Sequence, residues 1–150
     1  MKNFIFPFES LLNYRRSKCD LCRQLLAQVL ASDHRLLADR KSLEQQRHKQ
    51  LQELRELVAA GEVDVDRSAS RRYFAGQVLG DIRLVDRNRQ IVAEQLDLCR
   101  QALSKADRDV KVLEKLQAKQ QAEFYYENRR RENRELAELW MATRYSDVSK

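Results

Sequence analysis

An apolar seam at alternating steps of three and four runs through this chain twice, and no other feature restricts its fold as much. The first run is Phe8, Leu12, Arg15, Cys19, Cys22, Leu26, Val29, Asp33, Leu36, Arg40, Leu43, Arg47, Gln50, Leu54 and Leu57, of which ten of fifteen are apolar. The second is Ala75, Val78, Ile82, Val85, Arg89, Val92, Leu96, Cys99, Leu103, Ala106, Val110 and Leu113, of which eleven of twelve are apolar. A mean step of 3.5 held over several heptads is the pattern of a coiled coil, because it keeps one stripe of each helix facing its partner. A chain of this kind buries one narrow stripe and leaves the rest in water. Such molecules bind other proteins far more often than they do chemistry.

The composition fits that reading. Three Gly, one Pro and a 35% charged share in 150 residues suit long helices better than a globule. The net charge is +6, and the excess sits on the first sixty residues, where 11 bases meet 7 acids. Acids interleave with bases throughout, so the expectation is a solvated mixed-charge surface and no nucleic-acid binding. No window approaches eighteen uninterrupted apolar residues, so no membrane insertion is expected. Three cysteines and no small-residue cleavage site after the N-terminal apolar stretch read as a reduced, cytoplasmic protein.

The punctuation predicts a single elongated domain over 1–150: a helix over 7–60, a turn over 61–67 and a helix over 68–145. Pro7 suits a first helical position, where its missing N–H costs nothing. Gly61 suits the position just past a helix end, and Asp64, Asp66 and Ser68 can each cap the second helix. A short turn between two long helices makes them antiparallel neighbours. The fold class expected is therefore all-α, a long two-helix antiparallel coiled-coil hairpin with a projecting C-terminal helix, present as a monomer. At ~1.5 Å per residue the helices would be ~80 and ~120 Å long, and residues from about 120 onward would project alone. Phe124 is read as an isolated apolar residue on that projection. Arg40 and Arg89 fall near one level of the seam, with Asp39 and Asp86 as their expected partners, a polar layer that would fix register.

Chemistry-bearing clusters are few. Cys19 and Cys22 lie on one helix and Cys99 on the other, all on the seam, while His34 and His48 are too far along to complete a zinc site. Small buried thiols filling the seam are the expectation, with no metal, no cofactor and no catalytic residues. Carboxylates abound on open helix surfaces, with no pocket to exclude water, so the chain is not expected to be an enzyme. Arg129, Arg130, Arg131 and Arg134 form the densest basic run. Glu127, Glu132, Glu135 and Glu138 alternate with them, and i,i+3 and i,i+4 pairs between the two sets are expected.

The aromatics gather at two places. Phe4, Phe6, Phe8 and Tyr14 crowd the start, and Phe124, Tyr125, Tyr126, Trp140 and Tyr145 crowd the end, which the hairpin makes neighbours. A two-helix seam cannot bury them all, and exposed aromatics that cluster mark binding sites; the alternative is that the N-terminal strand folds over them. A second patch, Tyr73, Phe74 and Leu79, comes after the turn beside Gly76 and Gly80, which face outward and cost about 1 kcal/mol each relative to Ala in a helix.

The start Phe6-Pro-Phe-Glu-Ser-Leu-Leu-Asn-Tyr-Arg15, the segment Val112-Leu-Glu-Lys-Leu116 with the Gln- and Glu-rich helix after it, and the ending Glu135-Leu-Ala-Glu-Leu139 together resemble the FliJ family, the small coiled-coil proteins of the flagellar type III export apparatus. Ala137 stands where that family's closing signature has Asp, and Lys18 and Cys19 stand where it favours acids. The resemblance covers nearly the whole chain. It implies a hairpin similar to the central stalk of rotary ATPases, non-catalytic, at the cytoplasmic face of the inner membrane. The implied partners are the hexameric export ATPase and a membrane protein of the export gate, with export chaperones as further candidates. ATPase binding would map to Phe6, Phe8, Tyr14, Phe124, Tyr125, Tyr126 and Trp140, and the gate contact to Tyr73, Phe74 and Leu79. The sequence leaves open the analogous stalk of a virulence-type secretion system and, outside the resemblance, a generic coiled-coil scaffold.

Overall fold

In a computed structural model, residues 3–61 and 64–148 are described, the last four without their side chains. Glu62 and Val63 of the expected turn, and the side chain of Tyr145, lie outside that description. The protein is an all-α two-helix hairpin: α1 spans Glu9–Ala59 and α2 spans Val65–Val148, with no strand among the described residues.

The helix ends are set by local chemistry. α1 begins at Glu9, two residues after Pro7, because Pro7 is used in a turn. The Glu9 N–H donates to the Phe6 carbonyl at 3.3 Å, which places Pro7 second in the turn, where its fixed φ is favoured. Phe8 is then the N-cap, its carbonyl accepting from Leu12 N at 2.9 Å. Glu9 keeps its favourable place in the first turn. At the other end Gly61 adopts φ 74°, and its N–H donates to Val58 O at 3.3 Å, one half of the glycine-terminated helix stop. α2 starts at Val65, three residues earlier than expected. Asp64 takes the cap: its Oδ1 accepts from Arg67 N at 3.2 Å, and its carbonyl accepts from Ser68 N at 3.0 Å.

The chain divides into two compact units, one of residues up to Cys19 with those from Lys105 onward, the other of Asp20–Ser104. In the first, Leu12, Cys19, Ala106, Val110 and Leu113 are buried along the seam, with Leu12 fully enclosed. Arg15 pairs with Asp109 at 3.1 Å and Arg16 with Glu114 at 3.0 Å, while Gln117 Nε2 donates to Glu9 Oε2 at 3.1 Å. These contacts place α1 antiparallel to α2.

In the second unit the buried positions are Ala75, Val78, Ile82, Leu96 and Cys99, and the α1 seam opposite them is half-buried. Its polar layer is paired, though not wholly as expected. Arg40 Nε donates to Asp86 at 2.6 Å, and the same guanidinium reaches Glu44. Asp86, the first cause, holds the Arg40 guanidinium above its ordinary pKa. Arg89 pairs with Asp33 at 3.0 Å and not with Asp39. Asp33 is itself a seam residue and faces α2, whereas Asp39 is one step off the seam and exposed. Nearer the turn, Arg71 pairs with Glu53 and donates to Gln50 at 2.9 Å.

Candidate functional site

The first unit carries the larger group of exposed aromatics, and its geometry comes from the N-terminal lead. Residues 3–6 are not helical. An extended segment advances ~3.3 Å per residue against ~1.5 Å in a helix, so the lead reaches further along α2 than a continued α1 would. Phe4 lies on Phe124 with ring centroids 5.7 Å apart, and Phe124 stacks edge-on against Tyr125 at 5.7 Å. Phe124 is therefore half-buried, and so are Gln117, Gln120 and Asn128. The helix becomes fully exposed only from Arg129, some nine residues later than expected.

Phe6 and Phe8 exchange their expected places. Phe6 is 5% exposed and packs edge-on against Phe8 at 5.8 Å, whereas Phe8 leaves the seam and is 44% exposed. The Pro7 turn is the reason, since it directs Phe6 inward just before the helix starts. As a buried side chain Phe6 shapes this surface without presenting itself to a partner. Tyr14, Tyr125, Tyr126 and Trp140 are exposed at 65%, 48%, 65% and 59%. The lead thus covers Phe124 and leaves the other α2 aromatics open.

From Arg129 to Arg144 every residue is exposed, yet the segment keeps Leu136, Leu139, Trp140 and Met141, each about 60% exposed. At 100° per residue, Leu136, Leu139, Trp140 and Thr143 share a face with Tyr125, while Arg131, Arg134 and Glu138 look the other way. Trp140 lies about 24 Å along the helix from Phe124, so the aromatics form a long stripe and no single cluster. Arg144 sits over the Trp140 ring at 4.6 Å, a cation–π contact. Leu136 and Leu139 are binding candidates that the sequence reading did not include. The signal is present: they continue the 125, 129, 132, 136 step, but Arg129 and Glu132 interrupt it.

The expected ion pairs of the basic run are absent among the described residues. No pair joins Arg129, Arg130, Arg131 or Arg134 to the neighbouring glutamates, although α2 forms such pairs elsewhere, as at Lys111–Asp107, 2.7 Å. Pairs between exposed charges contribute little in any case, so their absence costs this segment little. Arg129, Arg130 and Arg134 instead border a shallow open furrow with Tyr126 and Asn133.

In the second unit, Tyr73 is 69% exposed and Phe74 45%, while Leu79 is half-buried. Tyr73 accepts a hydrogen bond from Gln77 Nε2 at 2.9 Å. Phe74 and Leu79 are 140° apart around α2 and flank the seam on opposite sides, so these three residues do not make one patch. Gly76 and Gly80 face open space on the Tyr73 side, with nothing within 4 Å of an added Cβ. Cys19 and Cys99 are buried free thiols and Cys22 is half-buried. Among the described residues no group of three or more His, Cys, Asp or Glu is placed to hold a metal ion, and no helix is long and apolar enough to cross a membrane.

No curated protein and no solved structure matches the chain. The family described as flagellar FliJ protein matches residues 4–145. That span begins at the lead packed on Phe124 and takes in both seams and the exposed end of α2, and this chain belongs to the FliJ family.

Proposed function

We propose that the protein is a non-enzymatic stalk component of the flagellar type III export apparatus, binding the hexameric export ATPase with the exposed end of α2 and supporting flagellum assembly. The observation that carries this reading is the segment 129–144. A helix that packs on nothing gains no stability from large apolar side chains, yet this one keeps Leu136, Leu139 and Trp140 exposed on one face. Apolar anchors at helical spacing are what a helix uses to dock in a groove. Phe8, Tyr14, Tyr125 and Tyr126 extend the same surface, with Phe6 and Phe124 supporting it from below.

Tyr73 and Phe74, exposed on α2 soon after the turn, are the proposed contact with the export gate. Leu79, on the other flank, is at most a support. The protein would work as a single copy outside the complex, at the cytoplasmic face of the inner membrane, with export chaperones as further partners and no role on nucleic acid. The test is a pull-down and ATPase assay with the purified export ATPase and a chain ended after Asn128. The reading expects the shortened protein to melt like the full chain and to lose both binding and any stimulation of hydrolysis. Binding at full strength by the shortened chain would remove the ATPase contact from this end.

A further inference from the structure

One flank of the second unit carries large apolar side chains that neither helix uses. Lettering the heptads so that Leu12 and Ala75 are both a, the residues Leu84, Ile91 and Leu98 fall at successive c positions of α2 and are 57%, 51% and 65% exposed. On α1, Leu21 at c and Leu25 at g are 64% and 52% exposed. Positions c and g lie on the same side of a seam, and antiparallel pairing sets the g side of one helix beside the g side of the other. The Arg89–Asp33 and Arg40–Asp86 pairs bracket the level: Leu98 stands opposite residues 24–28 and Ile91 opposite residues 31–35. Leu25 and Leu98 therefore border the same furrow.

That flank is also nearly uncharged. Ser32, Asn88, Gln95 and Ala102 occupy the g positions, where charges normally border a coiled coil. Arg87 and Glu94 stand at the outer edge, and charge returns at the c and g positions toward the turn, at Arg35, Asp39 and Asp81. On the opposite flank the e positions mix Arg23, Glu44, Asp86 and Arg100 with Leu30, Leu37, Leu51, Leu79 and Ala93, and Arg40 and Asp86 pair there at 2.6 Å.

We propose that this flank receives an amphipathic helix of another protein as a third strand, a site separate from the two contacts proposed above. Three observations select that occupant. The exposed residues Leu84, Ile91 and Leu98 of α2 repeat at intervals of seven, the period of a coiled-coil partner. The uncharged border suits a helix whose own edges are Ala, Ser or Gln, since charged edges would lose water without gaining a counter-charge. The five side chains offer on the order of 400 Å² of apolar area, the size of the largest apolar patch on a typical monomer, which is often functional. A stable symmetric dimer needs about 800 Å² from each copy, and two copies would each bring a net charge of +6. The area matches one docked helix held transiently.

The experiment uses two labelled synthetic helical peptides of about three heptads, both with Leu at a and d, one with Gln and Ala at e and g, the other with Glu there. Fluorescence anisotropy against the full chain is expected to show binding of the neutral-edged peptide and at least roughly tenfold weaker binding of the acidic-edged one. Ile91→Glu with Leu98→Glu, and separately Leu21→Glu with Leu25→Glu, should each weaken the neutral-edged peptide by a similar factor. Leu37→Glu, an exposed leucine at e on the opposite flank, should leave it unchanged. Two pairs on different helices guard against one of them unfolding the chain. No binding of either peptide, or binding indifferent to both pairs, overturns the proposal. So does sedimentation equilibrium showing a dimer that the same pairs dissolve, because a second copy would then be the occupant.

Discussion

Phe6 and Phe8 are two residues apart and chemically identical, and the backbone between them decides their fates. Pro7 in the second place of a turn sends Phe6 into the first unit and leaves Phe8 at its rim. Phe6→Ala should therefore cost about 3 kcal/mol by denaturant unfolding, as for a buried aromatic, and Phe8→Ala only about 1 kcal/mol; equal losses would put Phe8 back on the seam. A similar contrast separates Asp33 from Asp39. Asp33→Ala removes the partner of a seam arginine and should cost about 1 kcal/mol after discounting for partial exposure, whereas Asp39→Ala should be near neutral. Spacing alone could not assign Arg89 its partner, because either acid is within reach on a helix drawn as a wheel. What decides is that Asp33 lies on the stripe facing α2 and Asp39 does not.

At the scale of the element, the seam is readable because burying a stripe requires a fixed period. Of the positions marked by that period, only Phe8 is exposed. The stop at Gly61 and the cap at Asp64 are readable for a related reason, since a positive φ and an orphan N–H each demand particular residues. The exposed stretch of α2, by contrast, starts about nine residues later than the period predicts. Periodicity carries no information on a lead that packs without being periodic, and the Phe4–Phe124 contact is of that kind. Two measurements test the elements as found. Spin labels at Leu12 and Lys115 should lie within about 20 Å, since paired helices sit ~10 Å apart; a separation near 80 Å would mean that α1 and α2 are not paired there. Leu96→Asp should lower the melting temperature far more than Tyr126→Asp, because Leu96 is 8% exposed and Tyr126 65%, and a buried carboxylate without a partner costs several kcal/mol. Equal shifts would show that Tyr126 has a packing partner.

For the whole molecule, the two docking surfaces proposed for export belong to different units. The second unit holds Tyr73 and Phe74; the first holds the lead, the half-buried Phe124 and the exposed end of α2. Each unit has its own buried seam and its own ion pairs, so a surface change in one should leave the packing of the other in place. The functional losses should then be separable. Leu136→Ala with Trp140→Ala removes two exposed anchors, leaves the seam untouched and should shift the melt by no more than a degree or two, since surface substitutions away from packing contacts usually fall within about 0.5 kcal/mol. It should weaken ATPase binding at least tenfold, because a few aromatic and aliphatic anchors carry most of an interface's free energy. Tyr73→Ala with Phe74→Ala should spare ATPase binding and weaken the gate contact. The measurement is a pair of titrations, each variant against the ATPase and against the cytoplasmic part of the gate protein. If both variants lose both partners in proportion, the two surfaces are not independent sites, and the partition of export contacts between the units is wrong even though the chain remains a FliJ-family hairpin.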